Sequence, residues 1–305
     1  MENLGSQAIQ DIAERIDRGY KLFFRNLKHG VRTAPPSFRK VRKYKSFTLK
    51  QAGHKLLNGN RITIMGKEYK YHKSREVEGK IKMVTVKRDP LGDLYLYIVC
   101  DAELEEIKPG SGKSVGLDFG LATFLTASDG NEIESPLFFK QGSKEIKKLN
   151  RAVSSKKKGS RNRERARLDL ARGHKRIANR RKDFHFKLAK ALAESYAAIF
   201  IEDLNLKGMQ RLWGRKISDL GFSCFVKILE HQCQKAGTKL IKIDRFYPSS
   251  KTCSDCGFVF DELSLAIREW TCPSCKTTHN RDVNAAINIH RVGASTLKGE
   301  EVRPA

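Results

Sequence analysis

The stretch that decides the fold reads Thr252-Cys253-Ser254-Asp255-Cys256, continues with Cys272-Pro273-Ser274-Cys275, and ends in Arg281-Asp282-Val283-Asn284-Ala285-Ala286. Fifteen residues separate the two Cys-x2-Cys pairs, which is the spacing of a structural zinc ribbon. Asp282 follows the last cysteine by seven residues, so an ionisable carboxylate comes directly after the part that a metal would make rigid. The sequence therefore predicts a metal-braced platform beside an active site, with zinc held by Cys253, Cys256, Cys272 and Cys275.

The chain carries far more positive than negative charge. Its 305 residues include 60 Lys and Arg against 34 Asp and Glu, a formal net charge of +26 at pH 7. Such an excess usually means a polyanionic partner, and nucleic acid is the leading candidate. A membrane surface is the competing polyanion, but no apolar run approaches 18 residues and the first residues show no signal-peptide pattern. We therefore expect a soluble, intracellular protein that binds no membrane.

Hydrophobic periodicity divides the chain into segments of different type. Apolar residues recur at three- and four-residue steps over residues 7–28, which predicts an amphipathic helix. Short stretches rich in β-branched and aromatic residues fill residues 47–103 and predict a small antiparallel β module. Beyond a predicted linker at residues 109–112, apolar strands alternate with helices. The predicted strands cover residues 114–118, 121–126, 198–201 and 239–243, and the later helices cover residues 184–196 and 218–235.

The most basic part of the chain is residues 140–182. This stretch holds 18 Lys and Arg and only 3 acidic residues, a local net charge of +15. We predict two long helices that flank a break at residues 156–159. A charge excess this one-sided favours contact with nucleic-acid phosphates, although the solvated outer face of long helices would also be basic.

Three carboxylates stand where chemistry is expected. Asp118 and Glu202 each end an apolar strand, and Asp282 begins a predicted helix just after the cysteine region. Taken singly, such a carboxylate is more often a cap or a solvated turn residue. Together they form a set of hard oxygen ligands that suits Mg²⁺ or Mn²⁺, and two such ions can hydrolyse a phosphodiester. Asp203 is a candidate substitute ligand, but period-two alternation points it to the opposite face from Glu202.

Four motifs together resemble the TnpB proteins of insertion sequences, which are related to type V CRISPR effectors. They are Leu117-Asp118-Phe119-Gly120-Leu121, Ile201-Glu202-Asp203-Leu204-Asn205-Leu206-Lys207-Gly208-Met209, Tyr247-Pro248-Ser249-Ser250-Lys251-Thr252-Cys253 and Arg281-Asp282-Val283-Asn284-Ala285-Ala286. The resemblance runs from about Ile9 to Arg291. It implies an RNase H-like RuvC nuclease domain whose three metal-binding carboxylates are Asp118, Glu202 and Asp282. It also implies a guide RNA that directs cleavage of double-stranded DNA beside a short flanking motif.

The resemblance also implies a mixed α/β organisation in four parts. We expect a partial helical recognition segment at residues 1–46 and a small β-barrel-like module at residues 47–108. A RuvC-like domain is expected over residues 109–249 and 281–305, with a zinc ribbon inserted at residues 250–280. Family members usually begin several tens of residues upstream, so a shortened N-terminus is expected. Asn280 stands where an aspartate is common, and we expect little effect from it.

Three functions remain open at this stage. The leading one is an RNA-guided, Mg²⁺-dependent DNA endonuclease of a transposable element; the others are a non-cleaving RNA-guided DNA-binding regulator and a DNA transposase in the strict sense. The expected cofactors are one structural zinc and two catalytic Mg²⁺ or Mn²⁺ ions. The expected partners are guide RNA and target double-stranded DNA, in the cytoplasm of a prokaryote. The candidate nucleic-acid contacts are Lys156, Lys157, Lys158, Arg161, Arg180 and Arg181.

Overall fold

The computed structural model describes residues 5–37, 44–102, 112–205, 208, 211, 214, 217–264 and 267–298. The chain divides into two compact units, Met1–Glu105 and Glu106–Ala305. Within the described ranges, no helix has both the length and the apolar character needed to cross a membrane.

The first unit combines one helix with two antiparallel sheets. The helix α1 covers Ser6–Lys28. The strands are β1 (Ser46–Leu49), β2 (His54–Leu57), β3 (Arg61–Ile64), β4 (Lys67–Lys70), β5 (Lys80–Arg88) and β6 (Leu94–Asp101). Hydrogen bonds join them in the orders β1-β5-β6 and β2-β3-β4. The amphipathic helix and the antiparallel β module are thus confirmed, whereas the barrel-like closure of the module is not confirmed, because the strands form two separate sheets.

The second unit is built on a five-stranded mixed sheet. Its strands are β7 (Ser114–Phe119), β8 (Thr123–Ala127), β9 (Glu132–Glu134), β10 (Ala198–Glu202) and β11 (Lys239–Ile243), in the spatial order β11-β10-β7-β8-β9. Strand β10 runs parallel to both β7 and β11, while β8 is antiparallel to β7 and β9. The helices of this unit are α2 (Phe138–Ser154), α3 (Arg161–Ser195), α4 (Phe222–Ala236) and α5 (Arg281–Lys298). A small hairpin of β12 (Glu269–Thr271) and β13 (Thr278–Asn280) precedes α5. The predicted mixed α/β class is confirmed.

Helices cover both faces of this sheet. Along β10, Ile199 and Ile201 join a large core that α3 and α4 complete, whereas Ala198 and Phe200 join a smaller core with α5. Successive side chains of a strand point to opposite faces, so every residue of β10 before Glu202 is buried. This explains why the strand reads as a continuous apolar run in the sequence.

Helix α5 lies unusually close to the sheet. A Cβ atom added to Gly116 of β7 would lie 2.5 Å from the backbone nitrogen of His290 and closer still to the carbonyl oxygen of Ala286. A Cβ atom on Gly293 would overlap the ring of Phe200. The imidazole of His290 then forms a hydrogen bond with Ser114 Oγ at 2.8 Å. The absence of side chains at these two glycines therefore sets the distance between α5 and the sheet.

The structure corrects the predicted helix boundaries. A helix over residues 184–196 was expected to be separate from the basic helix before it, but α3 is a single helix of 35 residues. The glycine within it, Gly173, does not break the helix because α2 packs there: a Cβ atom would lie 2.8 Å from Leu149 Cδ1. The next predicted helix, over residues 218–235, is in fact interrupted by Gly221 at a φ of 65°, and α4 starts directly afterwards.

We expect Gly116→Ala to lower the free energy of unfolding by about 1–3 kcal/mol, because the added methyl group must displace the backbone of α5. Gly214→Ala is the matched control, since its added Cβ has nothing within 4 Å. Urea denaturation of both variants and the unmodified chain measures the difference. Equal stability of the two variants would contradict the close approach of α5 to β7.

Candidate functional site

Asp118 and Glu202 lie side by side on neighbouring strands. Strands β7 and β10 pair in parallel with Leu117 opposite Ile201, and each carboxylate is the next residue along its strand. Leu117 and Ile201 both face the core formed with α3 and α4. Because side chains alternate along a strand, Asp118 and Glu202 both face the layer that contains α5.

Asp282 lies in the layer that contains α5. It lies in the first turn of α5, and Asn280 caps this helix: its Oδ1 accepts hydrogen bonds from the backbone N–H groups of Asp282 and Val283 at 3.0 and 3.1 Å. Asparagine is as good an N-terminal cap as aspartate, which gives a physical reason for the small effect expected at this position. Since α5 packs on β7 and β10, its first turn brings Asp282 towards the two strand carboxylates.

The electrostatics of Asp118 reflect this convergence. Its pKa is raised to about 7, first because burial desolvates the carboxylate and then because Glu202 and Asp282 place negative charge nearby; Arg281 opposes the shift. Burial also raises the pKa of Glu202, while a hydrogen bond from the Ser249 hydroxyl lowers it. A buried group of like charges is stabilised when a cation binds among them. The site therefore favours a positive ion.

Two of the three carboxylates are held by partners of their own. Arg268 Nη1 donates to both carboxylate oxygens of Asp282, at 3.0 and 2.8 Å. Ser249 Oγ donates to Glu202 Oε1. The three carboxylates are accordingly less tightly gathered than the cysteines, which in the described part of the chain are the one set of three or more candidate ligands within 4.8 Å of one another.

Asp203 takes a different position from its neighbour. Its carboxylate pairs with Arg245, and its backbone N–H donates to the carbonyl oxygen of Ile243 at 3.2 Å. Asp203, the predicted substitute metal ligand, therefore pairs with Arg245. This agrees with the expectation that its side chain points to the opposite face from that of Glu202.

Sequence reasoning missed Ser249 and Arg268. Ser249 belongs to a motif that carried the resemblance, but nothing in the sequence distinguishes it from Ser250 beside it. Arg268 directly precedes β12, and it reaches Asp282 because β12 pairs with β13 and the chain enters α5 directly afterwards. Strands of only three residues, such as β12 and β13, are too short to show a hydrophobic periodicity in the sequence.

The four predicted cysteines meet at one point. Cys253 and Cys275 have their sulfurs 3.6 Å apart, and so do Cys256 and Cys272. A tetrahedral zinc with Zn–S bonds of about 2.3 Å holds its sulfurs about 3.8 Å apart. Backbone hydrogen bonds of 3.0 Å close both turns, from Gly257 N–H to Cys253 and from Lys276 N–H to Cys272. The donor set and its spacing fit a zinc ion.

His279 supports this cluster. Its Nε2 lies 3.0 Å from Cys253 Sγ, and its ring packs 4.9 Å from that of Trp270. A residue in contact with a metal ligand helps to fix the orientation of that ligand. His279 is therefore buried against the cysteines.

The predicted nucleic-acid contacts fall in two places. Lys156, Lys157 and Lys158 lie in the turn between α2 and α3, and Arg161 begins α3. Further along α3, the guanidinium of Arg180 lies 5.9 Å from the centre of the Phe138 ring. Arg181 instead donates to the backbone carbonyls of Ser218 and Asp219, at 2.8 and 3.2 Å, so this residue also holds the segment before α4.

Comparisons with known proteins point to one family. A family model described as "Probable transposase" (OrfB_IS605) matches residues 97–212, and the Cas12f1-like TNB domain model matches residues 222–289. "Putative RNA-guided DNA endonuclease" of Streptomyces pristinaespiralis is 39% identical over 72% of this chain, which spans 55% of that protein. "Putative RNA-guided DNA endonuclease InsQ" of Escherichia coli (strain K12) is 31% identical over 98% of this chain and 77% of its own length.

A solved structure shares the fold. The match to the protein in a Cas12f1–sgRNA–target DNA complex has a TM-score of 0.57 and 14% identity, over 92% of this chain and 70% of that one. The fold is therefore that of a Cas12f-type α/β protein with a four-cysteine cluster. The chain belongs to the TnpB family, as its motifs indicated.

Removal of the Asn280 cap tests the start of α5. We expect Asn280→Ala to lower the free energy of unfolding by about 1 kcal/mol, because two backbone N–H groups lose their acceptor. Asn280→Asp should keep the stability of the unmodified chain. Chemical denaturation of the three proteins measures this, and a full loss of stability in the aspartate variant would show that the cap is not the cause.

Replacement of Cys253 and Cys256 by serine tests the metal cluster. We expect the purified double variant to lose one bound zinc per chain and to unfold at a lower temperature, because the metal contributes directly to folding. Cys224→Ser is the control, since Cys224 is an exposed thiol outside the cluster. Elemental analysis measures the zinc content, and thermal unfolding measures the stability. An unchanged zinc content in the double variant would contradict the assignment of the cysteine cluster as a zinc site.

Proposed function

We propose that this chain is the nuclease of a transposable element, an RNA-guided, Mg²⁺-dependent DNA endonuclease. The observation that carries the proposal is the convergence of Asp118, Glu202 and Asp282, which reach one layer of the fold from two parallel strands and a helix N-terminus. Relatives named as RNA-guided DNA endonucleases support the guide RNA and the DNA target.

The carboxylates suit Mg²⁺ or Mn²⁺ as ligands. Carboxylate oxygens are hard donors that both ions prefer. Burial first, and then the charges of Glu202 and Asp282, raise the pKa of Asp118, and a bound cation would offset both effects. Two ions bound here would supply activation of a water molecule and stabilisation of the departing 3′ oxygen.

The chain's own residues determine the shape of this site. Asp118 and Glu202 come from the centre of the sheet, while Asp282 lies at a helix N-terminus, where the helix dipole favours negative charge. Arg268 and Ser249 each donate to one of the carboxylates. These contacts orient Asp282 and Glu202, and the hydrogen bond from Ser249 opposes the rise that burial causes in the pKa of Glu202.

The basic helices α2 and α3 are proposed to bind the guide RNA and target DNA. All three acidic residues of the stretch at residues 140–182 pair with arginines: Glu145 with Arg176, Glu164 with Arg167, and Asp169 with Arg172. The net charge of +15 is therefore not neutralised within the stretch, and phosphate groups are the natural counter-charge. The turn of Lys156, Lys157 and Lys158, in which Lys157 and Lys158 are exposed, is the best-placed contact.

The cysteine cluster is proposed to hold one structural zinc. Four sulfurs fill every position of a tetrahedral ion and leave none for a water molecule, so the zinc supports the fold and the hydrolysis belongs to the carboxylates. On this proposal residues 250–280 form a ribbon inserted into a RuvC-like domain over residues 109–249 and 281–305. Residues 1–46 and 47–108 then form the recognition segment and the β module.

One alternative has an observation in its favour. The family model that matches residues 97–212 is described as a probable transposase, and strand transfer uses the same kind of carboxylate site. The third candidate, a non-cleaving RNA-guided regulator, is disfavoured by the presence of all three carboxylates.

A cleavage assay with Glu202→Gln tests the proposed function. The chain would be co-expressed with RNA from the neighbouring transposon end, purified as the complex, and given matching double-stranded DNA and Mg²⁺. We expect Glu202→Gln to abolish cleavage with RNA binding nearly unchanged, because the substitution removes one ligand charge and keeps the shape. Asp203→Asn is the matched control and should retain cleavage, since Asp203 pairs with Arg245.

The products separate the three functions. Cut DNA that depends on Glu202 supports the endonuclease. Joined strands would identify a transposase, and guide-dependent binding without cuts by the unmodified chain would identify a regulator. Full activity in Glu202→Gln would mean that this carboxylate is not a ligand.

A further inference from the structure

The segment between β11 and the first cysteine pair is fastened to α5. This segment, residues 248–254, is called the bridging loop below. Asn288 Nδ2 donates to the carbonyl oxygens of Ser249 and Thr252, at 2.8 and 2.6 Å. Asn284 Nδ2 donates to Thr252 at 2.8 Å, and its Oδ1 accepts from the backbone N–H of Ser254 at 2.9 Å. Asn284 Nδ2 also donates to the Ser249 carbonyl oxygen, at 3.4 Å. The two asparagines thus fix the loop to one face of the helix with five side-chain hydrogen bonds.

These contacts are fully enclosed. Asn284 is 1% exposed and Asn288 is 0% exposed. A buried amide is costly unless its groups find partners, so the two asparagines strongly favour this one conformation of the loop. They lie four residues apart, which puts them on the same face of α5.

Ser249 is the point at which the bridging loop meets the carboxylate site. Its carbonyl oxygen is held by Asn288, while its hydroxyl donates to Glu202 Oε1. Ser249 itself is 6% exposed, and its N–H donates to the Tyr247 carbonyl oxygen at 2.8 Å. Because the backbone N–H and carbonyl groups of Ser249 are both hydrogen-bonded, its hydroxyl has little freedom to turn away from Glu202. The hydrogen bond from Ser249 therefore fixes the position of Glu202 Oε1, and this sets the direction in which the second carboxylate oxygen points.

We propose that Ser249 is a positioning residue for Glu202, and that Asn288 fixes Ser249 to the same helix that carries Asp282. Glu202 on the sheet and Asp282 on α5 are then placed relative to each other by a chain of hydrogen bonds, in addition to packing. The proposal rests on the proposed function, because it gives Glu202 a divalent ion to bind.

A purely structural role for the loop predicts different behaviour. If the bridging loop only supports the cysteine cluster, its substitutions should lower stability and zinc content and leave ion binding at the carboxylates unchanged. If Ser249 positions Glu202, its loss should weaken ion binding in a protein that is still folded and still carries zinc. Arg291 separates the two roles, since its Nη2 donates to the Ser254 carbonyl oxygen at 2.6 Å, in the loop but away from Ser249.

The test measures Mn²⁺ binding to the purified full chain by electron paramagnetic resonance, without substrate. Loss of an outer hydrogen bond to a metal ligand typically weakens metal binding by about 10- to 100-fold, and we expect a weakening in this range for Ser249→Ala. Ser249→Thr, which keeps the hydroxyl, should recover most of the affinity. Ser250→Ala and Arg291→Ala should bind Mn²⁺ like the unmodified chain. Zinc content and thermal unfolding establish that each variant is folded.

Cleavage by the RNA-loaded complex gives a second readout. The Mg²⁺ concentration for half-maximal rate should rise in Ser249→Ala in proportion to the loss of Mn²⁺ affinity. In Asn288→Ala we expect a smaller rise, and the double variant with Ser249→Ala should be no worse than Ser249→Ala alone, because both act through one hydrogen bond to Glu202.

The outcomes distinguish this inference from the proposed function. Unchanged Mn²⁺ binding in Ser249→Ala, or an equal loss in Arg291→Ala, overturns the positioning role while the nuclease assignment stands. Absence of Mn²⁺ binding and of cleavage in the unmodified chain overturns both.

Discussion

The packing of α5 on the central strand β7 is the constraint on which the site depends. Gly116 has no side chain, so the backbone of α5 at Ala286 and His290 can lie directly on the strand. Asp118 is two residues further along that strand, and Asp282 is one turn before the contact on the helix. If α5 lay further from β7, Asp282 would also lie further from Asp118. The distance between the backbones of α5 and β7 therefore fixes the distance between these two carboxylates.

The sheet supplies the second half of the geometry. Parallel pairing with Leu117 opposite Ile201 sets Asp118 beside Glu202, and alternation turns both towards α5. This arrangement is electrostatically unfavourable on its own, because burial and then the neighbouring carboxylates both raise the pKa of Asp118. The chain offsets it with donors from outside the sheet, a serine hydroxyl for one carboxylate and a guanidinium for another. Ser249 lies shortly before the first cysteine pair and Arg268 lies between the two pairs, so the cysteine region also contacts the carboxylate site.

The sequence predicted features that depend on local pattern or on fixed spacing. Strands β7, β10 and β11 were predicted because each is a short apolar run, and the cysteine cluster because its spacing is typical of zinc sites. The three carboxylates followed from strand ends and from family motifs. Ser249 and Arg268 were not predicted, since their importance arises from contacts with residues 47 and 14 positions away. The continuity of α3 was not predicted: a boundary was expected between residues 182 and 184, but the helix runs from Arg161 to Ser195 without interruption.

The length of α3 has a mechanical consequence. A helix of 35 residues is about 52 Å long at 1.5 Å per residue, and its C-terminal third, around Ala189, Leu192 and Ala193, is embedded in the large core. The lysine turn before Arg161 therefore lies at the opposite end of α3 from the residues that are packed in the core. For a helix of this rise, a tilt of about five degrees at the buried end moves a point about 40 Å away by roughly 3.5 Å. For the same tilt, the residues of α3 that lie in the large core are displaced far less than the lysine turn.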